Sequence, residues 1–175
     1  MNYATIKWYD IANGEGVRIS LFVSGCTHHC KNCFNAVAWD FSYGEPFDKA
    51  TEEKILKELA SPFIAGLSLL GGEPLEPQNQ AALRPFLEEV KRRFPQKPVW
   101  CYTGFLFDPT TGELVEEAKN TADTKGLLAL VDVLVDGPYV EELHDIRLKF
   151  RGSSNQRVID VQKSLKEKTC VLYLE

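Results

Sequence analysis

No stretch of the 175 residues approaches the roughly 20 apolar positions needed to cross a bilayer. The N-terminus, MNYATIKWYDIANGEG, lacks a basic segment followed by an apolar run, so nothing there reads as a secretory signal. A membrane partner is excluded on these grounds, and the chain reads as cytoplasmic. Basic blocks are equally scarce: none is longer than Lys91-Arg92-Arg93, and the net charge is −5. A surface built to follow phosphates needs clustered cations, so nucleic acid is excluded as a partner. There is no internal repeat, no low-complexity tract and no second cysteine cluster. What is present is an ordinary globular balance, 44% apolar and 26% charged, in a length that suits one domain spanning 1–175.

Five cysteines is an odd number, which leaves one unpaired in any disulfide scheme. A reducing cytoplasm also disfavours such bonds, so the clustered thiols read as metal ligands or catalytic groups. Three of them stand in Cys26-Thr27-His28-His29-Cys30-Lys31-Asn32-Cys33, directly after the apolar run Arg18-Ile-Ser-Leu-Phe-Val23. Three thiolates from one tight loop can hold three corners of a cubane iron–sulfur cluster and leave one iron open. Structural zinc normally takes four protein ligands drawn from two knuckles, and only one knuckle is present. Histidine remains an available zinc ligand, so a Cys3His site completed by His28 or His29 stays open as the alternative. Cys101 and Cys170 lie in or beside apolar segments and read as core residues.

Apolar runs at Ile19–Val23, Leu67–Leu70, Val99–Tyr102, Val131–Val135 and Cys170–Leu174 read as buried strands. Between them, Asp48 or Thr51 can cap a helix carrying Ile55, Leu56 and Leu59. A second helical pattern runs through Leu83, Phe86, Leu87, Val90 and Phe94. Pro85 should leave its first turns kinked or not helical. A third helix includes Leu127, Leu128 and Leu130, and Asp108–Lys125 reads as a loop with some helix. Strands alternating with helices predict an α/β fold with a mainly parallel sheet. A closed eight-unit barrel takes about 250 residues, so a partial, open (β/α) barrel with a curved sheet is expected. Ser24-Gly25, Gly71-Gly72 and Asp136-Gly137-Pro138 follow strands, and parallel α/β proteins place ligands at that edge.

The triplet Cys26, Cys30, Cys33, followed by Phe34-Asn35 and later by Gly71-Gly72-Glu73-Pro74, resembles the radical S-adenosylmethionine superfamily. Many members carry an aromatic residue immediately before the third cysteine; here that position is Asn32 and the aromatic follows as Phe34. This arrangement, with Asn13–Arg18, GLSLLGGEPLEPQNQ at 66–80, Tyr102-Thr103-Gly104, VDVLVDGPY at 131–139 and RGSSNQR at 151–157, is similar to the activating proteins of anaerobic ribonucleotide reductase. The resemblance implies a [4Fe–4S] cluster on Cys26, Cys30 and Cys33, with S-adenosylmethionine bound at the open iron. It assigns the methionine end to Gly71, Gly72 and Glu73, and the adenine to backbone near Asn32, Cys33 and Phe34. It implies reductive cleavage of S-adenosylmethionine and formation of a glycyl radical on the reductase, with an electron donor such as a flavodoxin, and no protein residue acting as acid or base. Another glycyl-radical enzyme as target, a small-molecule radical enzyme, or a zinc-stabilised binding module without catalysis are the alternatives.

Taken alone, Gly71-Gly72-Glu73-Pro74 is a common turn composition with a solvated charge; beside an open cluster its carboxylate can pair with an amino group. Asp136 reads as a polar wall of the site rather than only a turn former. His28 and His29 read as spacers within the loop, and His144 as an exposed histidine. Arg151, Ser153, Ser154, Asn155 and Arg157 fit a solvated loop, an anchoring network or a partner surface equally well.

Overall fold

The computed structural model describes residues 1–175. In chain order the elements are β1 (Asn2–Asp10), β2 (Arg18–Val23), β3 (Glu45–Pro46), α1 (Lys49–Leu59), β4 (Gly66–Gly71), α2 (Pro77–Arg93), β5 (Val99–Tyr102), β6 (Phe107–Asp108), β7 (Glu113–Leu114), α3 (Thr124–Leu128), β8 (Val133–Asp136), β9 (Arg157–Asp160), α4 (Val161–Glu167) and β10 (Leu172–Leu174). Eight strands form one sheet in the order β10-β9-β8-β5-β4-β2-β1-β3, while β6 and β7 make a separate hairpin.

The expected parallel strands are its centre: β2, β4, β5 and β8 pair in parallel. The wings are antiparallel, β1 and β3 on one side and β9 and β10 on the other, so the sheet is mixed. Neither β1 nor β9 was expected, and the strand read at Cys170–Leu174 is shorter and antiparallel. Among the helices, Asp48 caps α1 by accepting from the Thr51 amide, as its sequence position suggests. Of the two outcomes expected at Pro85, loss of helix in the first turns does not occur: α2 is helical from Pro77 through Pro85 to Arg93. Pro85 and Ala81 are both exposed, so the carbonyl that proline leaves without a donor faces water. The stretch 108–125 is a loop with some helix as expected, a 3₁₀ turn and the start of α3, and also holds the second strand of the small hairpin, which was not expected; the third helix stops before Leu130.

From β2 to β4, β5 and β8 the chain steps one place in the same direction each time. Right-handed crossovers therefore put α1, α2 and α3 on one face of the sheet. Side-chain alternation divides the strands accordingly. Ile19, Leu21, Val23, Leu67, Leu69, Val99, Cys101 and Leu134 join Ile55, Leu59, Leu83, Phe86, Leu87, Val90, Leu127 and Leu128 in a core of 25 buried residues. The other face carries Ser20, Ser68, Leu70, Trp100, Tyr102, Val133 and Val135. Only a four-residue buried cluster around Trp100 fills it, backed by Phe150 and Leu174.

That second face is closed at the N-terminal end of the parallel strands by Arg18, which is 1% exposed. Its guanidinium donates to Ser68 Oγ (2.8 Å) and to the carbonyls of Glu15 (3.0 Å), Leu67 (3.0 Å) and Pro98 (2.6 Å). It also lies 5.6 Å from the Trp100 ring centre. No carboxylate forms an ion pair with it, and burial pulls its pKa down to about 10. Toward the C-terminal ends the same face opens into a cavity of about 630 Å³.

Candidate functional site

The cavity is lined by Cys26, Cys30 and Cys33 on one side and by Gly71, Gly72 and Glu73 on the next strand end. Asn32 and Phe34 stand at its mouth, and Leu70, Tyr102, Val135 and Phe150 line the interior. All the expected site residues thus converge at the expected edge. Asp136 does not: it alternates with Val135 toward the helices and is fully buried there. Its carboxylate takes Arg157 Nε at 2.9 Å and the Phe107 amide at 2.8 Å, with a second bond to Arg157. It is a strand anchor, and the reading of Asp136 as a wall of the site is corrected.

The glycine pair is required by chain packing. Gly71 has φ +109°, and a Cβ there would stand 2.7 Å from the backbone of β2; one at Gly72 would stand 2.6 Å from the Gly25 carbonyl. Only glycine lets the end of β4 press against the start of the cysteine loop. The amides of Gly72 and Glu73 then donate to the carbonyls of Val23 and Gly25, both at 2.8 Å. The loop turns back through two non-glycine residues in the left-handed region, His29 (φ +50°) and Asn32 (φ +56°). His29 is held by stacking on Trp39, centroids 4.3 Å apart and planes 8° apart. Asn32 donates to Glu141 Oε2 at 2.6 Å, joining the loop to the segment after β8.

Two buried carboxylates grip the residues between the first two cysteines. Glu76, 2% exposed, accepts from the Thr27 amide (3.0 Å) and hydroxyl (2.5 Å) through Oε1. Its Oε2 takes Lys119 Nζ at 2.9 Å, and Lys119 also reaches Thr27 Oγ1 at 3.1 Å. Glu73, 1% exposed, is no solvated charge. Its Oε1 accepts from His28 Nε2 (2.8 Å), Thr103 Oγ1 (2.8 Å) and the Gly104 amide (2.7 Å), and its Oε2 from the Leu75 amide (2.9 Å). His28 is therefore more than a spacer. Its ring also rests on Phe105 at 4.3 Å. Burial opposes a charge on His28, but Glu73, Glu76 and Glu116 outweigh it and raise its pKa above the ordinary value. Glu76 and Thr103 fall inside motifs that carry the resemblance but had no role read from them, and Lys119 carried no signal, because each acts through a partner at least 30 residues away.

Burial pushes the Cys26 thiol up to about 11 and raises Cys30 as well, so binding a metal must displace protons there. The donor set fits a cubane better than a single ion. No three His, Cys, Asp or Glu side chains converge as one tetrahedral ion requires. A cubane spreads its thiolates apart, each on its own iron. Of the candidates for a fourth zinc ligand, His29 is stacked against Trp39, while His28 has Nε2 on Glu73, a contact that leaves its Nδ1 uncommitted. Cys101 is buried in the core and Cys170 packs against it, as expected.

RGSSNQR is an anchoring network. Gln156 Oε1 accepts from the amides of Gly152 (2.9 Å) and Ser153 (3.1 Å), while Gln156 Nε2 donates to the Gly137 carbonyl (3.0 Å). Asn155 donates to the Pro138 carbonyl (2.8 Å), and Arg151 to the Gln156 carbonyl (2.5 Å). The motif thereby fixes the turn after β8 at the cavity rim. His144 is exposed, with Nδ1 3.0 Å from the Gly152 carbonyl.

Residues 12–159 match a family described as a 4Fe-4S single cluster domain. The chain is 43% identical over 158 residues to the anaerobic ribonucleoside-triphosphate reductase-activating protein of Haemophilus influenzae, covering 89% of this chain and 96% of that one. The protein of the same name from Escherichia coli is 39% identical over 160 residues, covering 90% and 97%. That of bacteriophage T4 is 39% identical over 158 residues, covering 90% and 93%. This chain belongs to the family of anaerobic ribonucleoside-triphosphate reductase-activating proteins. No helix of the chain is long and apolar enough to cross a membrane.

Proposed function

We propose that the chain is a radical S-adenosylmethionine enzyme that places a glycyl radical on anaerobic ribonucleoside-triphosphate reductase, working as a single domain over 1–175. One observation carries this: three thiols from one loop, without a fourth ligand, face a cavity of about 630 Å³ at the glycine-bearing ends of parallel strands. That volume suits a ligand the size of S-adenosylmethionine. The one-way order of β2, β4, β5 and β8, with every connecting helix on one face, supports a partial, open barrel whose inner face is the cavity.

Cys26, Cys30 and Cys33 would hold a [4Fe–4S] cluster with one iron open. When bound, this group supplies one electron to the sulfonium of S-adenosylmethionine, giving methionine and a 5′-deoxyadenosyl radical that takes hydrogen from a glycine Cα of the reductase. The chain's own residues orient and shield. Gly71 and Gly72 leave backbone room for the methionine end, and Glu73 offers its remaining acceptor capacity at Oε2, since Oε1 already has three donors. Asn32, Cys33 and Phe34 form the adenine side. Leu70, Val135 and Phe150 keep water from the radical's path. An electron donor such as a flavodoxin would reach the cluster loop, which lies at the surface.

The test begins with iron, sulfide and the visible spectrum of the anaerobically reconstituted protein. Changing Cys26, Cys30 or Cys33 to Ala should abolish the chromophore and all release of methionine, whereas Cys101→Ala and Cys170→Ala should keep both. A colourless protein with stoichiometric zinc would refute the reading. With the reductase present, a glycyl-radical doublet in electron paramagnetic resonance is expected on the larger partner. A doublet appearing only on another glycyl-radical enzyme would move the target and leave the chemistry.

A further inference from the structure

We propose that His28 is a positioning residue, which sets the cysteine loop in register with the S-adenosylmethionine-binding edge of β4. The inference rests on the cluster assignment above and goes beyond it, since no role for His28 follows from cluster ligation. Within the loop, His28 stands two residues from both Cys26 and Cys30, so any displacement of it moves both thiols. Its Nε2–H ends on Glu73 Oε1, 2.8 Å away, and Glu73 directly follows Gly71 and Gly72. The same oxygen receives Thr103 Oγ1 and the Gly104 amide from the exit of β5. Three segments, the cysteine loop, the β4 exit and the β5 exit, therefore meet on one buried atom.

The ring's place is enforced from two further sides. Phe105 packs against it at 4.3 Å. Gly104 provides the space opposite, since a Cβ there would lie 2.6 to 2.9 Å from three atoms of the imidazole. The neighbouring residue does a different job. Thr27 is tied to Glu76 and Lys119, a contact that holds the loop to the start of α2 and does not involve the glycine edge. Removing His28 should therefore leave the loop attached and the thiols present while releasing their register to Gly71-Gly72-Glu73.

The test compares His28→Ala with His28→Gln in the reconstituted protein, because a glutamine amide can place an N–H near the position of Nε2. Three readouts are needed: iron per chain, the affinity for S-adenosylmethionine by anaerobic calorimetry, and the change that S-adenosylmethionine causes in the electron paramagnetic resonance spectrum of the reduced protein. His28→Ala should keep most of its iron, bind S-adenosylmethionine about 10–100-fold more weakly, as loss of an orienting partner typically does, and lose most of the spectral change. His28→Gln should recover both. If His28→Ala loses its iron and His28→Gln keeps it, the positioning role extends to assembly and the proposal stands. Wild-type affinity and spectral change in His28→Ala would overturn it, as would a His28→Gln no better than His28→Ala in any readout. Failure of the wild-type protein itself to hold iron or bind S-adenosylmethionine would count against the cluster reading and not against His28 alone.

Discussion

Replacing Gly104 by alanine gives a test of the His28–Glu73 contact that needs no metal. The added methyl would stand 2.6 Å from His28 Nε2, and ordinary contact begins at 3.4 Å, so the ring must retreat by about 0.8 Å. Starting from 2.8 Å, a retreat of that size away from Glu73 would leave the nitrogen about 3.6 Å from Oε1, which is no longer a hydrogen bond. Losing a bond to a charged, buried acceptor costs about 1.5–3 kcal/mol. Against this, Gly104 does not occupy the left-handed region, so alanine restricts the unfolded chain and returns about 0.4–1 kcal/mol. The net expectation is a loss of about 0.5–2.6 kcal/mol. At about 2–4 °C per kcal/mol for a chain of this size, the melting temperature should fall by about 1–10 °C. Urea denaturation of the metal-free protein measures it directly. The decisive comparison is the double-mutant cycle with His28→Ala. Without the imidazole there is nothing to displace, and Gly104→Ala should become stabilising by about 0.4–1 kcal/mol. Equal destabilisation in both backgrounds would refute the reasoning.

Arg18→Met should destabilise by about 1–3 kcal/mol, because it removes the buried guanidinium donor from the Leu67 carbonyl, while the Pro98 carbonyl keeps the Leu67 amide; an unchanged urea midpoint would show that the Leu67 carbonyl finds another donor. Glu76→Gln should loosen Thr27 and Lys119 and speed iron loss to a chelator severalfold, with equal release rates as the contrary result. Asp136→Asn should weaken the bond to Arg157 and lower stability by about 1–3 kcal/mol. It should leave S-adenosylmethionine affinity at the wild-type value, and calorimetry showing weaker binding would restore Asp136 to the site.

Local signals and distant pairings differ sharply in how well they can be read in this chain. Ile19–Val23 and Leu67–Leu70 are buried on both faces and apolar except for Ser20 and Ser68, because parallel central strands are covered on both sides, and such runs are visible in any window. The three cysteines are legible for a similar reason, since one loop carries them all. β1 escaped notice because a register shift between Tyr3 and Thr5 breaks its alternation: Tyr3, Ile6 and Trp8 pack toward the core out of simple period-two phase. β9 begins at the last residue of a polar motif, which hid its apolar half, Val158 and Ile159. Asp136 was assigned the wrong face because its partner, Arg157, lies 21 positions away, and the role of His28 was hidden by the 45 positions between it and Glu73. Pairings of that span depend on how the strands are ordered, which no local pattern records.

The split between the two faces of the sheet has a consequence for the life of the molecule in air. Cys26, Cys30 and Cys33 take no part in the 25-residue core, which lies across the sheet among the helices. Their loop is fastened by Glu73, Glu76 and the Gly25 backbone, none of which needs iron. On the proposed cluster assignment, a chain that lost its cluster to oxygen would keep these fastenings and its core. Damage and denaturation would then be separate events. Recovery would call for iron, sulfide and electrons delivered to existing molecules rather than for refolding.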